Sequence, residues 1–160
     1  LMIHDIDIIL NINQSKVKKI DASGVSIISS TPDIANARIE FENGCIANLT
    51  SSRISLKKMR KTRIFQDNAY ISINFLEKDF QVVKIRDKHT NDNENSLVIK
   101  NNLGQEKVIF FENPKINEIN SIEAELNDFF NSIKNKSESK ISLHDGLMAL
   151  EVAEEIMSQL

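Results

Sequence analysis

Glycine is scarce in this sequence, and the scarcity excludes whole classes of function. The 160 residues hold four glycines, Gly24, Gly44, Gly104 and Gly146, so widely spaced that neither G-x-G-x-x-G nor G-x-x-x-x-G-K-[ST] can be written anywhere. Both motifs exist because phosphate must approach backbone where no Cβ intervenes, so the chain cannot by itself cradle a dinucleotide or a nucleoside triphosphate by those routes. The single cysteine, Cys45, excludes an intrachain disulfide framework and a cysteine-cluster metal site, and it fits a reducing cytoplasm. A net charge of −3 supplies no global attraction to nucleic acid or to an anionic membrane. A proper beginning is missing as well. "LMIHDIDIILNI" carries apolar periodicity from its first residue with neither an initiator Met nor a capping residue, which predicts an interior segment of a longer protein. The stretch is too short and too acidic to span a bilayer, and it lacks the basic n-region of a secretory signal.

What is present suits one soluble domain: 41% of the residues are hydrophobic and 27% charged, enough apolar material for a sizeable core. The opening reads as a helix over 1–12. Val17 to Ser29 is rich in β-branched residues and reads as a strand that "TPD" at 31–33 interrupts. Two strand-like runs flank Asn43-Gly44, a dipeptide that tolerates the positive φ angles of a type I′ hairpin. Further strands are predicted at 60–66, 69–76, 80–87, 96–101 and 107–112, with the polar run "DKHTNDNENS" as an exposed loop. Towards the end the period changes. Ile119, Ile122, Leu126, Phe129, Phe130 and Ile133 recur at helical steps, and Ser142 with Asp145 forms a capping-box pattern ahead of a last helix. Strand after strand without crossover helices predicts an α+β fold, a mostly antiparallel open sheet of about seven strands with helices on one face. A sheet covered on one side leaves its other face for solvent, a partner subunit or a ligand.

Three features invite chemistry. His4, Asp7 and Asn11 share one helical stripe, which suits a histidine base oriented by a carboxylate, a stripe that merely faces water, or a metal site, although two ligands on one helix leave most of a coordination shell unsupplied. "SSRISLKKMRKTR" gathers Arg53, Lys57, Lys58, Arg60, Lys61 and Arg63 into one span, readable as a phosphate or nucleic-acid patch or as a solvated strand edge guarded by lysines; no aromatics interleave to stack bases. His89 and His144 read as surface residues, and Cys45 as a small hydrophobe.

"HDIDIIL", "DIANARIEFENGCIANLTSSR" and "ISLHDGLMALEVAEEI", in that order, resemble the C-terminal domain of the glucose-fructose oxidoreductase / inositol dehydrogenase / rhizopine catabolism (Gfo/Idh/MocA) family. The resemblance covers nearly the whole chain. It implies a fold like the C-terminal domain of glyceraldehyde-3-phosphate dehydrogenase, in which residues 1–160 form a substrate-binding and oligomerisation domain and a preceding Rossmann domain binds most of the NAD or NADP. It further implies hydride transfer on a sugar, inositol or nucleotide sugar such as a UDP-N-acetylhexosamine, and a homo-dimer or tetramer formed through the open sheet face, with Ile39, Phe41 or their neighbours expected in the subunit interface. His4 matches the family's Asp-x-x-x-His followed by x-x-Asp, which implies a role as proton acceptor or donor, with Asp7 in support. The family's leading aspartate would fall four positions before His4, and its Glu-Lys-Pro lysine has no counterpart here. In a nucleotide-sugar enzyme Arg53 or Lys57 would meet the diphosphate. No metal, nucleic acid or membrane is expected. The alternative is a non-catalytic binding or assembly module of the same fold, in which His4 is structural.

Overall fold

The computed structural model describes residues 2–87, 97–100, 104–114, 116 and 119–160. In chain order the elements are α1 (Ile3–Ile12), β1 (Val17–Val25), β2 (Ile34–Phe41), β3 (Ile46–Ser52), β4 (Lys61–Gln66), β5 (Ala69–Asn74), β6 (Asp79–Asp87), β7 (Leu97–Lys100), β8 (Glu106–Glu112), α2 (Ser121–Asn135) and α3 (Leu143–Ser158). The class is α+β, and every strand pairing is antiparallel. The predicted single sheet of about seven strands is instead eight strands in two sheets, ordered β1-β2-β3 and β4-β5-β6-β8-β7. The chain correspondingly divides into two compact units, Leu1–Leu56 with Asn120–Leu160, and Lys57–Ile119. Residues 88–96 of the predicted loop, with His89, lie outside the described residues.

In the first unit the period-two alternation of β2 sets the core. Ala37, Ile39 and Phe41 turn to one side and are buried, whereas Asn36 and Arg38 turn to the other. Ile20 of β1, Ala47 of β3, Ile6 of α1 and Ala149, Val152 and Ile156 of α3 complete that core. Small alanines on both the sheet and α3 let the helix lie close to the strands. Ile39 and Phe41, expected on the open face, thus sit beneath the helices at 0% and 1% exposure. The open face is polar and internally satisfied: Arg38 reaches Glu40 at 3.5 Å and Asn48 at 3.3 Å, and Thr50 donates to Asn36 at 2.8 Å. Period two told the faces apart but not which one the helices would choose.

Three local devices hold this unit. The Ser142–Asp145 capping box is present in full at the start of α3. At the other end of α3, the Gln159 side-chain amide accepts from Ala22 N–H at 2.7 Å and donates to the Ile20 carbonyl at 3.1 Å, satisfying part of the free edge of β1. The Asn43-Gly44 hairpin forms, but not as type I′. Only Gly44 takes a positive φ, +85°, while the Gly44 N–H donates to the Phe41 carbonyl at 3.0 Å, a type I turn closed by a left-handed glycine. Asn43 donates through its side chain to Asn13 at 2.8 Å, tying the turn to the segment after α1. α2 is capped by Asn120 and contributes no buried residue; its apolar stripe, from Ile122 to Ile133, is exposed.

In the second unit, cross-strand register aligns Phe65, Tyr70, Val83 and Phe111 in one row, and Ile85, Ile109 and Leu97 in the next, on one face of the sheet. Phe65 and Tyr70 are in ring contact at 5.0 Å between centroids. Much of this face is exposed, Phe65 at 75% and Phe111 at 59%.

Removing Ile39 leaves a void that its tightly packed neighbours cannot fill. Ile39→Ala should therefore lower the unfolding free energy by about 2–5 kcal/mol, and Arg38→Ala on the opposite face by less than about 1 kcal/mol. Urea titrations of the two variants check this, and equal losses would mean that the two faces have been assigned wrongly.

Candidate functional site

β1 stops at Val25, four residues short of its predicted end, because a side chain claims the next amides. Asp33 is 3% exposed, and its Oδ2 accepts from the backbone N–H groups of Ile27, Ile28 and Ser29 at 2.8, 2.7 and 3.0 Å. The Ser29 hydroxyl donates to Oδ1. These four donors, the Ser29 hydroxyl first, hold the Asp33 carboxyl far below the usual carboxylate range. The backbone of Asp33 is equally committed: its N–H donates to Val25 and its carbonyl accepts from the N–H of Arg53, both at 2.9 Å.

Arg53 follows directly on β3 and sits beside this loop. Its Nη1 lies 3.3 Å from Thr31 Oγ1 and 3.5 Å from Ser29 Oγ, and among the described residues it makes no ion pair. Arg53 lines an open cavity of about 200 Å³ bounded by the start of α1, the end of α3 and the loop before β2. Met2, Ile3, Ile6, Ile156 and Met157 make its apolar wall, with Asp33 and Ser51 near Arg53. The backbone at Gly24 is closely approached, since a Cβ there would stand 3.0 Å from Pro32 Cβ and 3.1 Å from Leu160 Cδ2, two residues that also line the cavity.

The predicted His4–Asp7 pairing is not formed. His4 is exposed on α1, next to Ile3 but outside the cavity wall, and no hydrogen-bond partner is found for it among the described residues. Asp7 instead accepts from Asn11 Nδ2 at 3.1 Å, so two members of the stripe pair with each other. The basic span also divides: Arg53 belongs to the first unit, and Lys57, exposed, opens the second. Arg60 lies over the Phe75 ring at 5.0 Å, and Lys61 and Arg63 stand exposed on β4, an edge strand, as the solvated-edge reading requires. His144 is exposed in the first turn of α3, and Cys45 is half-buried against the core. Among the described residues no group of three or more His, Cys, Asp or Glu side chains could hold a metal ion, and no helix is long and apolar enough to cross a membrane. Sequence reading placed Arg53 in a charge run and Asp33 in a turn. The signal that could have joined them is Asp33 itself, an aspartate after Pro32 with Ser29 and Thr31 upstream, the composition of a side-chain-fastened loop.

No protein-family model matches the sequence. A UDP-N-acetylglucosamine 3-dehydrogenase of Acidithiobacillus ferrooxidans is 34% identical over 82 residues, covering 51% of this chain and 26% of that protein. A solved structure of the enzyme of that name from the same organism superposes on all of this chain with a TM-score of 0.84 at 24% identity, over 47% of its own length. The chain has the fold of the C-terminal domain of Gfo/Idh/MocA-type oxidoreductases. A levoglucosan dehydrogenase in complex with NADH agrees at a TM-score of 0.75 and 16% identity, over 99% of this chain and 46% of that one. An aldose-aldose oxidoreductase from Caulobacter crescentus agrees at 0.72 and 16%, over 98% and 43%. This chain thus spans about half the length of these solved structures and a quarter of the curated relative. The fold expected from three sequence motifs is the fold found.

Because the folded-state pKa of Asp33 is depressed, its contribution to stability is complete above the unfolded value, near 3.9, and is lost as pH falls through the folded one. The Asp145 carboxyl, lowered by the Ser142 amide and hydroxyl, acts in the same direction. Urea unfolding of the chain should weaken as pH drops below about 4, and Asp33→Asn should flatten that acid limb; an unchanged limb would remove Asp33 as its source.

Proposed function

We propose that this chain is the substrate-binding and oligomerisation half of an NAD(P)-dependent oxidoreductase that acts on a sugar, inositol or nucleotide sugar, with a UDP-N-acetylhexosamine as the preferred substrate. The observation that carries the reading is the 34% identity to a UDP-N-acetylglucosamine 3-dehydrogenase in a chain whose whole length follows that enzyme's fold. The four isolated glycines offer no dinucleotide cradle, so the cofactor belongs to a Rossmann domain elsewhere in a longer protein. A nicotinamide dinucleotide held there would supply the hydride acceptor for the sugar carbon. The part of this chain is to take the hydroxyl proton of the same carbon, and His4 suits it, since its imidazole is exposed, has no hydrogen-bond partner among the described residues, and carries a ring nitrogen that can act as a general base. Asp7, paired with Asn11, supports α1 and leaves the imidazole unengaged.

Oligomerisation falls to the five-stranded sheet. Its apolar rows, from Phe65 across to Phe111 and Leu97, run roughly 20 Å across the strands, with Phe65, Phe111, Leu97 and Ile85 exposed to be covered by a partner. A second copy of the chain is the partner assigned to it, in a dimer or tetramer.

In a longer protein that includes the dinucleotide-binding domain, UDP-N-acetylglucosamine should drive NAD(P)H formation, read by nicotinamide fluorescence. His4→Ala should lower kcat by about 10²–10⁴-fold without changing the melting temperature, and unchanged kcat would make the domain a binding or assembly module. The 160-residue chain alone should give no turnover. Sedimentation should show self-association that Phe111→Glu weakens; a monomer at high concentration would remove the sheet face from that role.

A further inference from the structure

We infer that Arg53, steered by Ser29 and Thr31, is an anion subsite for the diphosphate of a sugar nucleotide, with the adjoining cavity taking an apolar part of the same molecule. The site stands on its own geometry and rests on the proposed function only for which diphosphate it receives. Asp33 stays charged but makes no ion pair with Arg53 among the described residues, because its Oδ2 accepts from three backbone amides and its Oδ1 from the Ser29 hydroxyl. Ser29 Oγ donates its proton to Asp33 and so faces Arg53 as an acceptor. The two contacts to Arg53, at 3.3 and 3.5 Å, both fall on Nη1. They orient the guanidinium and leave the donors of Nη2 and Nε without a partner among the described residues, a fork suited to two phosphate oxygens. Arg53 is exposed, lines the cavity and makes no ion pair among the described residues, so the donors that Ser29 and Thr31 leave over are open to a ligand.

The cavity limits what enters. At about 200 Å³ it is smaller than the roughly 300 Å³ at which pockets begin to enclose drug-sized molecules, so a fragment goes in and the remainder stays outside. Met2, Ile6, Ile156 and Met157 suit an acetamide methyl or the apolar face of a pyranose. Diphosphate esters occur both in sugar nucleotides and in nicotinamide dinucleotides, and the choice between them is left to ligand arms.

Calorimetric titration of the 160-residue chain with inorganic pyrophosphate, UDP-N-acetylglucosamine and NAD⁺ tests the inference. Pyrophosphate and UDP-N-acetylglucosamine should bind saturably. Arg53→Ala should weaken both at least tenfold, with Arg53→Lys only partly restoring them, because an ammonium replaces the fork by a point charge. Thr31→Val leaves every hydrogen bond to Asp33 in place and should weaken both severalfold at an unchanged melting temperature. Absence of pyrophosphate binding, or binding indifferent to Arg53→Ala, would overturn the subsite. NAD⁺ binding that Arg53→Ala abolishes would overturn its assignment to a sugar nucleotide. Failure of the longer protein to oxidise UDP-N-acetylglucosamine, with Arg53-dependent pyrophosphate binding intact, would sink the proposed function and leave the subsite standing.

Discussion

One buried carboxylate organises the first unit. By collecting the amides of Ile27, Ile28 and Ser29 and the Ser29 hydroxyl, Asp33 ends β1 at Val25 and folds the chain back into β2. Its own carbonyl receives Arg53 N–H, so the same residue registers the end of β3 against the loop. A buried charge is tolerable only when its lone pairs are filled, and here the filling donors are the backbone groups that a tight loop would otherwise leave orphaned. Packing follows from this. Pro32 is set against Gly24 and the end of α3, Arg53 is brought to the cavity mouth, and Ala37, Ile39 and Phe41 are presented in register to α1 and α3.

The two units divide the work by the kind of surface each leaves. The three-stranded sheet of the first buries its apolar face under two helices and turns a polar, self-paired face outward, and the apolar surface this unit leaves open is the Ile122–Ile133 stripe of α2. The second keeps two apolar rows of its five-stranded sheet exposed, the type of surface that association covers. The histidine suggested for proton transfer and the arginine suggested for the diphosphate both belong to the first unit, where helix and loop are held by the densest hydrogen bonding.

Much of the architecture was legible residue by residue. The alternation in "ARIEF", the Asn-Gly dipeptide, the Ser142–Asp145 box and the helical period from Ile122 to Ile133 each produced the expected element, because each is a local preference that the backbone expresses wherever it sits. Misreadings came where a distant group intervened. β1 lost its last four predicted residues to Asp33, and the hairpin turn closed as type I with a left-handed glycine while Asn43 was tied to Asn13. Ile39 and Phe41 were placed on the right strand and the wrong face, since a period of two is silent about which side a helix will cover. The stripe of His4, Asp7 and Asn11 was a true stripe, yet its hydrogen bond joins Asp7 to Asn11.

The sequence by itself determined the fold class, the order and type of nearly every element, the family whose C-terminal fold the chain shares, and the absence of a glycine-rich nucleotide cradle; all of these depend on composition and on spacings of a few residues. Only the tertiary structure decided that the strands form two sheets, which face of β2 is core, and that Arg53 stands apart from Lys57 and beside Ser29, Thr31 and a cavity. The reason is physical. Those outcomes rest on contacts between residues dozens of positions apart, such as Gln159 with Ala22 or Arg53 with Ser29, and their free energy exists only once the chain has closed on itself.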